Sequence, residues 1–184
     1  MTVLSAGNQA QAAVTDNMFP NYGWNCWSGG PVYDGNETFC RTDNNYFTWG
    51  WEASITDSGG LMAAANDFNG TDLTTAGEVP VYTGGSETDV VWQAGPLPPN
   101  LGGVAWCDDA VSSTKCDQHY ARFWTGAPNH YLSCHETGHT VGLTHGPDAN
   151  PRLDINDARL ACMNYVQNDP WLGYNNYDNI NGAY

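Results

Sequence analysis

Basic side chains are scarce in this chain. Five Lys and Arg stand against twenty Asp and Glu, a formal net charge of −15 with neutral His. Nucleic acids and anionic membrane faces are bound through a basic footprint, so both are excluded as partners. Long apolar runs are missing too: no stretch reaches the ~18 apolar residues of a spanning helix. No C-x-x-C pair occurs, which argues against a thiol redox motif or a zinc ribbon. Charged residues are only 14% of the chain, while Trp and Tyr number eight and ten. A disordered acidic tail has the opposite composition, so a packed, aromatic-rich fold is expected. Met1 to Val14 carries neither a basic n-region nor an apolar h-region. An intact signal peptide is therefore not expected there, and either a mature form or a missing gene start is implied.

What is present is enough for one domain. A chain of 184 residues suits a single core. Its six cysteines, Cys26, Cys40, Cys107, Cys116, Cys134 and Cys162, are an even number. That reads as a disulfide framework in a secreted protein, against the alternative of six reduced thiols. Fifteen connectivities exist for six Cys. Asn36-Glu37-Thr38 and Asn69-Gly70-Thr71 fit the N-glycosylation pattern.

Abundant Gly, Asn, Asp and Thr favour loops and strands over long helices. Strands are expected at Tyr46–Glu52, Val79–Tyr82, Thr88–Gln93, Gly103–Cys107 and His119–Trp124. Ser58–Phe68 reads as a helix with Ser58 as N-cap and Gly70 as its stop. Asn129–Gly142 is helical in pattern. Tyr177, Ile180 and Tyr184 at i, i+3 and i+7 suit a short helix over Asn175–Tyr184. The order predicts an α+β fold. A hairpin of the last two strands would put Cys107 and Cys116 near its neck, so these two are expected to pair.

The informative segment runs from Cys134 to His145. It contains His135-Glu136-x-x-His139, a zinc-hydrolase signature. Residues four apart share a helix face, so both imidazoles reach one ion. A continuing helix would carry His145 about 240° around the axis from His139, away from that ion. The helix must break first, and Gly142 stands where the break is needed, free to take a positive φ. The third ligand and the glycine explain each other. Three His leave an open coordination position, as catalytic zinc requires and structural zinc does not. Such a site acidifies a water and polarises a carbonyl, while Glu136 can take and deliver the proton. His119 and His130 read as ordinary surface or core residues.

His135-Glu136-x-x-His139-x-x-Gly142-x-x-His145, followed by Cys162-Met163-Asn164-Tyr165, resembles a metzincin zinc metalloprotease, of the matrixin-like branch by element order. The resemblance spans roughly residues 46 to 184 and is strong only in 134 to 165. It implies a metzincin-like α+β fold: a twisted five-stranded mixed sheet, an active-site helix, a Met-turn and a short C-terminal helix. Residues 1–184 would form one catalytic domain, with an N-terminal subdomain 1–145 and a small C-terminal subdomain 146–184. His135, His139 and His145 would hold one catalytic zinc, with Glu136 as general base. Gly142 and Met163 would support the site, Met163 as an apolar floor under the imidazoles. Tyr165 would ligate the metal, stabilise the oxyanion, or merely line the pocket. Cys134 and Cys162 flank the two motifs, so a bridge between them is plausible, and sequential pairing throughout, with Cys26–Cys40, is the expectation. The residue after His145 is Gly146, where known subfamilies carry other residues, so the subfamily stays open. Asp148, Asp154 and Asp157, in a loop longer than that of compact matrixins, could bind calcium or simply be solvated.

The implied function is a secreted, monomeric zinc endopeptidase. An extended polypeptide substrate could add antiparallel to the strand near Gly103–Trp106, with Trp106 at the cleft wall or in the core. Two alternatives stand beside it. One is a Trp-rich extracellular module that binds glycan or protein. The other is a zinc hydrolase acting on cell-wall peptides.

Overall fold

Buried and less buried side chains alternate along residues 46–49 and 118–123, the signature of strands with one face on a core. The computed structural model describes residues 15–20, 25–31, 39–79, 88–166 and 169–184, the side chains of 76–79 excepted. Its elements are β1 (Arg41–Thr42), β2 (Tyr46–Trp51), α1 (Gly59–Phe68), β3 (Thr74–Val79), β4 (Val90–Ala94), β5 (Gly103–Ala110), β6 (Lys115–Phe123), α2 (His130–Thr140) and α3 (Gly173–Ala183). Two short 3-10 segments, Gly146–Asp148 and Ala158–Met163, lie between α2 and α3. The fold is therefore mixed α/β, with few helices and one mostly parallel sheet. Met1 to Val14, the Asn36-Glu37-Thr38 triplet and residues 80–82 of an expected strand lie outside the described residues.

The strands β3, β2, β4 and β6 run parallel side by side. β5 pairs antiparallel with β6 as a hairpin. The tiny β1 lies parallel to the start of β6, on the same edge that β4 uses further along. The sheet so has six strands rather than five. The extra one is two residues long and has no periodicity to read. The hairpin is also longer than Gly103–Cys107 and His119–Trp124: a register shift between Cys107 and Asp109 lets pairing continue to Ala110 opposite Cys116. The third strand precedes the Val79–Tyr82 expectation, because polar Thr74 and Thr75 pair with Tyr46 and Phe47.

The main core lies between the sheet and the helices. Phe47, Trp49, Val90, Trp92 and Phe123 meet Leu61 and Phe68 of α1, Cys134 of α2, and Met163, Leu172 and Ile180 of the C-terminal region. A smaller cluster joins Phe19 to Cys26, Cys40, Cys107 and Cys116. All six cysteines are at bonding distance in the sequential pairs Cys26–Cys40, Cys107–Cys116 and Cys134–Cys162. No helix among the described residues is long and apolar enough to cross a membrane. At the start of α1, Ser58 makes no side-chain cap, and Asp57 Oδ1 instead accepts from the Gly59 N–H at 2.9 Å. Trp106 lies on the sheet, stacked on Tyr120 with the Arg122 guanidinium 5.2 Å from its ring centroid.

Candidate metal centre and its cleft

Nine of the eleven residues of α2 are buried, so this helix runs through the molecule rather than lying on it. Asn129 starts it, its side chain accepting from Leu132 N at 2.9 Å, a cap worth about 1 kcal/mol. Trp92 Nε1 donates to Thr137 Oγ1 at 3.1 Å and ties the helix to β4. The C-terminus is a Schellman turn: Leu143 N–H reaches Gly138 O at 2.9 Å, and Gly142 N–H reaches His139 O at 3.1 Å. Gly142 sits at φ +93°, the left-handed conformation that the spacing of His145 demands. The chain then turns back and delivers His145 to the other two imidazoles.

The ligand atoms of His135, His139 and His145 all lie within 4.8 Å of one another. Nε2 of His145 is 3.2 Å from Nε2 of His135. Tetrahedral zinc with bonds of 2.0–2.1 Å separates its nitrogens by about 3.3 Å, so the spacing fits one ion. The far nitrogens are committed elsewhere. His135 Nδ1 donates to Cys162 O at 2.7 Å, and His139 Nδ1 donates to Leu143 O at 2.8 Å. With the proton assigned to Nδ1 by these carbonyls, Nε2 presents a lone pair to the shared centre. Burial pushes the pKa of His135 down to about 4 and that of His145 to about 3, the latter with help from His135. Burial, then His145 and His135, hold His139 well below its usual value too. All three are neutral donors at pH 7. The His cluster can therefore hold a metal ion. The second thiol-rich group, Cys26, Cys40 and Cys107, is oxidised in disulfides and offers no thiolate.

Two side chains that sequence reasoning did not single out shape this centre. Phe39 stacks on His139, with centroids 3.9 Å apart, and turns its edge to His145. Tyr131 donates to Asn164 O, and its phenol pKa is pushed up to about 12 by burial, then by Glu136 and Tyr165. Gly138, also not singled out, makes room for Met163. A Cβ there would lie 2.4 Å from Met163 Sδ, so the fully buried methionine packs directly on the helix backbone just before His139. An H-E-x-G-H spelling was the available signal, but a glycine within a helix has many explanations.

His135, His139, His145, Glu136 and Tyr165 line one cleft of about 380 Å³. Its opposite wall is Gly102, Gly103, Val104 and Ala105, four consecutive residues, so the wall is the edge of β5 rather than one of its faces. Among the described residues β5 pairs only with β6, which leaves that edge open. Glu136 is 4% exposed and lies against this strand: a Cβ on Gly103 would sit 2.5 Å from its Oε1. Tyr165 is 54% exposed at the rim, its ring 4.8 Å from that of His145 and 6.0 Å from that of His135.

The remaining candidates lie apart. His119 is buried with Nε2 3.1 Å from Cys40 O, and His130 Nε2 pairs with Asp67 at 2.8 Å. Asp157 is engaged by Arg159, Asp154 accepts from Asn156 N, and with Asp148 they form no three-carboxylate group among the described residues. Trp106 does not line the cleft. No protein-family model matches the chain, and no curated protein matches it.

Proposed function

We propose that this chain is a secreted zinc endopeptidase of metzincin type. One observation carries the reading: three neutral imidazoles converge in a cleft that also holds a buried glutamate and an open strand edge. The donor set suits zinc, since three imidazoles without thiolate or carboxylate leave the ion its full charge and an open position. Bound there by His135, His139 and His145, zinc supplies a Lewis acid that acidifies water and polarises a peptide carbonyl.

The chain's own residues do the rest. The edge of β5 at Gly103–Ala105 holds an extended peptide by backbone hydrogen bonds, as an added antiparallel strand. Glu136, against Gly103, takes the proton from the attacking water and hands it to the departing amine. Tyr165 at the rim donates its phenol proton in a hydrogen bond to the developing oxyanion. Met163 beneath Gly138 fixes the floor, and the Cys162 and Leu143 carbonyls hold two imidazoles in the right tautomer. Three disulfides fit an oxidising, extracellular setting.

Cleavage of casein or gelatin tests this with wild type, wild type plus chelator, and Glu136→Gln, alongside metal analysis. The expected result is activity in the first alone, with zinc retained by the variant. Equal activity in all three would overturn the mechanism. Stoichiometric zinc without cleavage of either protein would favour cell-wall peptide cross-links as substrate.

A further inference from the structure

The segment Thr15–Phe19 is a strap laid across the back of the metal site. Met18 bridges antiparallel to Leu143, and Phe19 N–H donates to Gly142 O at 2.8 Å. Asn17 holds Thr144 on both sides. Its carbonyl oxygen accepts from Thr144 N at 2.8 Å and Thr144 Oγ1 at 3.0 Å, and its Nδ2 donates to Thr144 O at 2.9 Å. The grip falls on two ligands together. Thr144 immediately precedes His145, and Leu143 O accepts from His139 Nδ1.

Asn17 is itself held by amides of α3. Its Oδ1 accepts from Asn175 Nδ2 at 3.0 Å and Asn179 Nδ2 at 2.6 Å. Its Nδ2 also donates to Asn176 Oδ1 at 3.1 Å. Asn176 Nδ2 in turn donates to Leu160 O at 2.8 Å, at the turn whose Cys162 carbonyl orients His135. Asn17, Asn176 and Thr144 are all 0% exposed. One buried amide network therefore reaches the backing of all three histidines. In a low-dielectric setting such a network is rigid when every member is satisfied and costly when one is lost.

We propose that Asn17 is a positioning residue for the metal ligands, and that docking of the Thr15–Phe19 strap and metal binding are thermodynamically linked. The inference rests on the His135, His139 and His145 metal site. Linkage is reciprocal, so a strap that improves metal affinity must be tightened by metal. The role is one of geometry: Asn17 touches no substrate and no ligand ring, and acts through the backbone of Thr144.

The test is zinc affinity, measured by chelator competition on the full chain, together with the unfolding temperature of the metal-free protein. Asn17→Ala is expected to weaken zinc binding about tenfold, the lower end of the cost of losing a direct outer partner, because Asn17 acts one residue removed from His145. Phe68→Leu, in the main core and away from the strap, serves as a control of comparable destabilisation. It should leave the zinc dissociation constant within about twofold, as distant sites do. Amide exchange on the wild type gives a readout that needs no variant: added zinc should slow exchange at Phe19 and Thr144. Equal zinc affinity in Asn17→Ala and Phe68→Leu, or no zinc-dependent protection of these amides, overturns the linkage. A wild type that binds no zinc at all overturns the metal site and the linkage with it.

Discussion

His135 Nδ1 lies 2.7 Å from the carbonyl oxygen of Cys162, and Cys162 is bonded through sulfur to Cys134, the neighbour of His135. Cys162 thus joins the middle of α2 to the Met163 turn twice, once covalently to Cys134 and once by a tautomer-fixing hydrogen bond from His135. Cross-linking across 28 residues stabilises a fold by about 3.5 kcal/mol in the loop-entropy picture. Replacing both cysteines by Ser should cost about that much in urea unfolding, and should weaken zinc binding as the Cys162 carbonyl loosens. Mass spectrometry of unreduced peptides checks the premise: a free thiol at either position would reject it.

Gly142 and Ala161 both take positive φ near the histidine cluster, and they should respond differently to mutation. Gly142 sits at +93°, where an added Cβ would also meet Arg41 Cγ at 2.8 Å and Met18 Sδ at 3.0 Å. Gly142→Ala should destabilise by about 2 kcal/mol and disturb His145, since strain and contact both oppose it. Ala161 sits at +49°, with ψ −124°, beside Cys162 and Met163. Ala161→Gly relieves that strain while loosening the unfolded chain, so its stability should stay within about 1 kcal/mol of wild type. Calorimetry of both proteins decides; equal losses would contradict the assigned conformations.

The convergence of His135, His139 and His145 was legible in the sequence because its geometry is local. His135, Glu136 and His139 share a helix, and Gly142 encodes the turn that brings His145 back. The Cys107–Cys116 bridge and the hairpin of β5 and β6 were legible for the same reason, since each joins near neighbours in the chain, whereas Cys134–Cys162 was reached through the two motifs it flanks. What stayed hidden depends on distant contacts. β1 has two residues and no period; it exists because Arg41 and Thr42 find the exposed start of β6. Phe39 reaches His139 across 100 residues, and Asn17 reaches Thr144 across 127. Buried asparagines look like loop residues to any propensity scale. The helix α3 was found from Tyr177, Ile180 and Tyr184, whereas Asn175, Asn176 and Asn179 on it carry the contacts to the strap.

His119 should make the fold acid-sensitive on its own account. It is 1% exposed, and burial pushes its pKa down to about 4. The unfolded chain, with an ordinary pKa near 6.5, binds the proton more readily. Stability from the neutral ring is therefore complete above pH 6.5 and is lost as pH falls from about 6.5 to 4, by about 3 kcal/mol in total. His135 and His145, also pushed down by burial, add their own acid dependence, so the contribution is read as a difference. His119→Gln, which cannot titrate, should show a shallower fall in unfolding free energy over that window. Parallel curves for the two proteins would place the acid sensitivity elsewhere.

Tyr165 separates a catalytic phenol from a lining ring. Its side chain is more than half exposed, and its ring stands beside those of His145 and His135 at the cleft. A group that only lined the pocket would bind substrate through its ring, and Tyr165→Phe would keep that ring. Removing the hydroxyl should then leave both kcat and KM unchanged. A phenol that donates to the oxyanion acts only in the transition state, so its loss should lower kcat and kcat/KM together with KM unmoved. Loss of one oxyanion donor in a closed site costs about 100-fold or more, and the exposure of Tyr165 should reduce that to roughly 10- to 100-fold. Zinc content must be equal in the two proteins for the comparison to hold. A raised KM at constant kcat would assign Tyr165 to substrate binding and remove it from the mechanism.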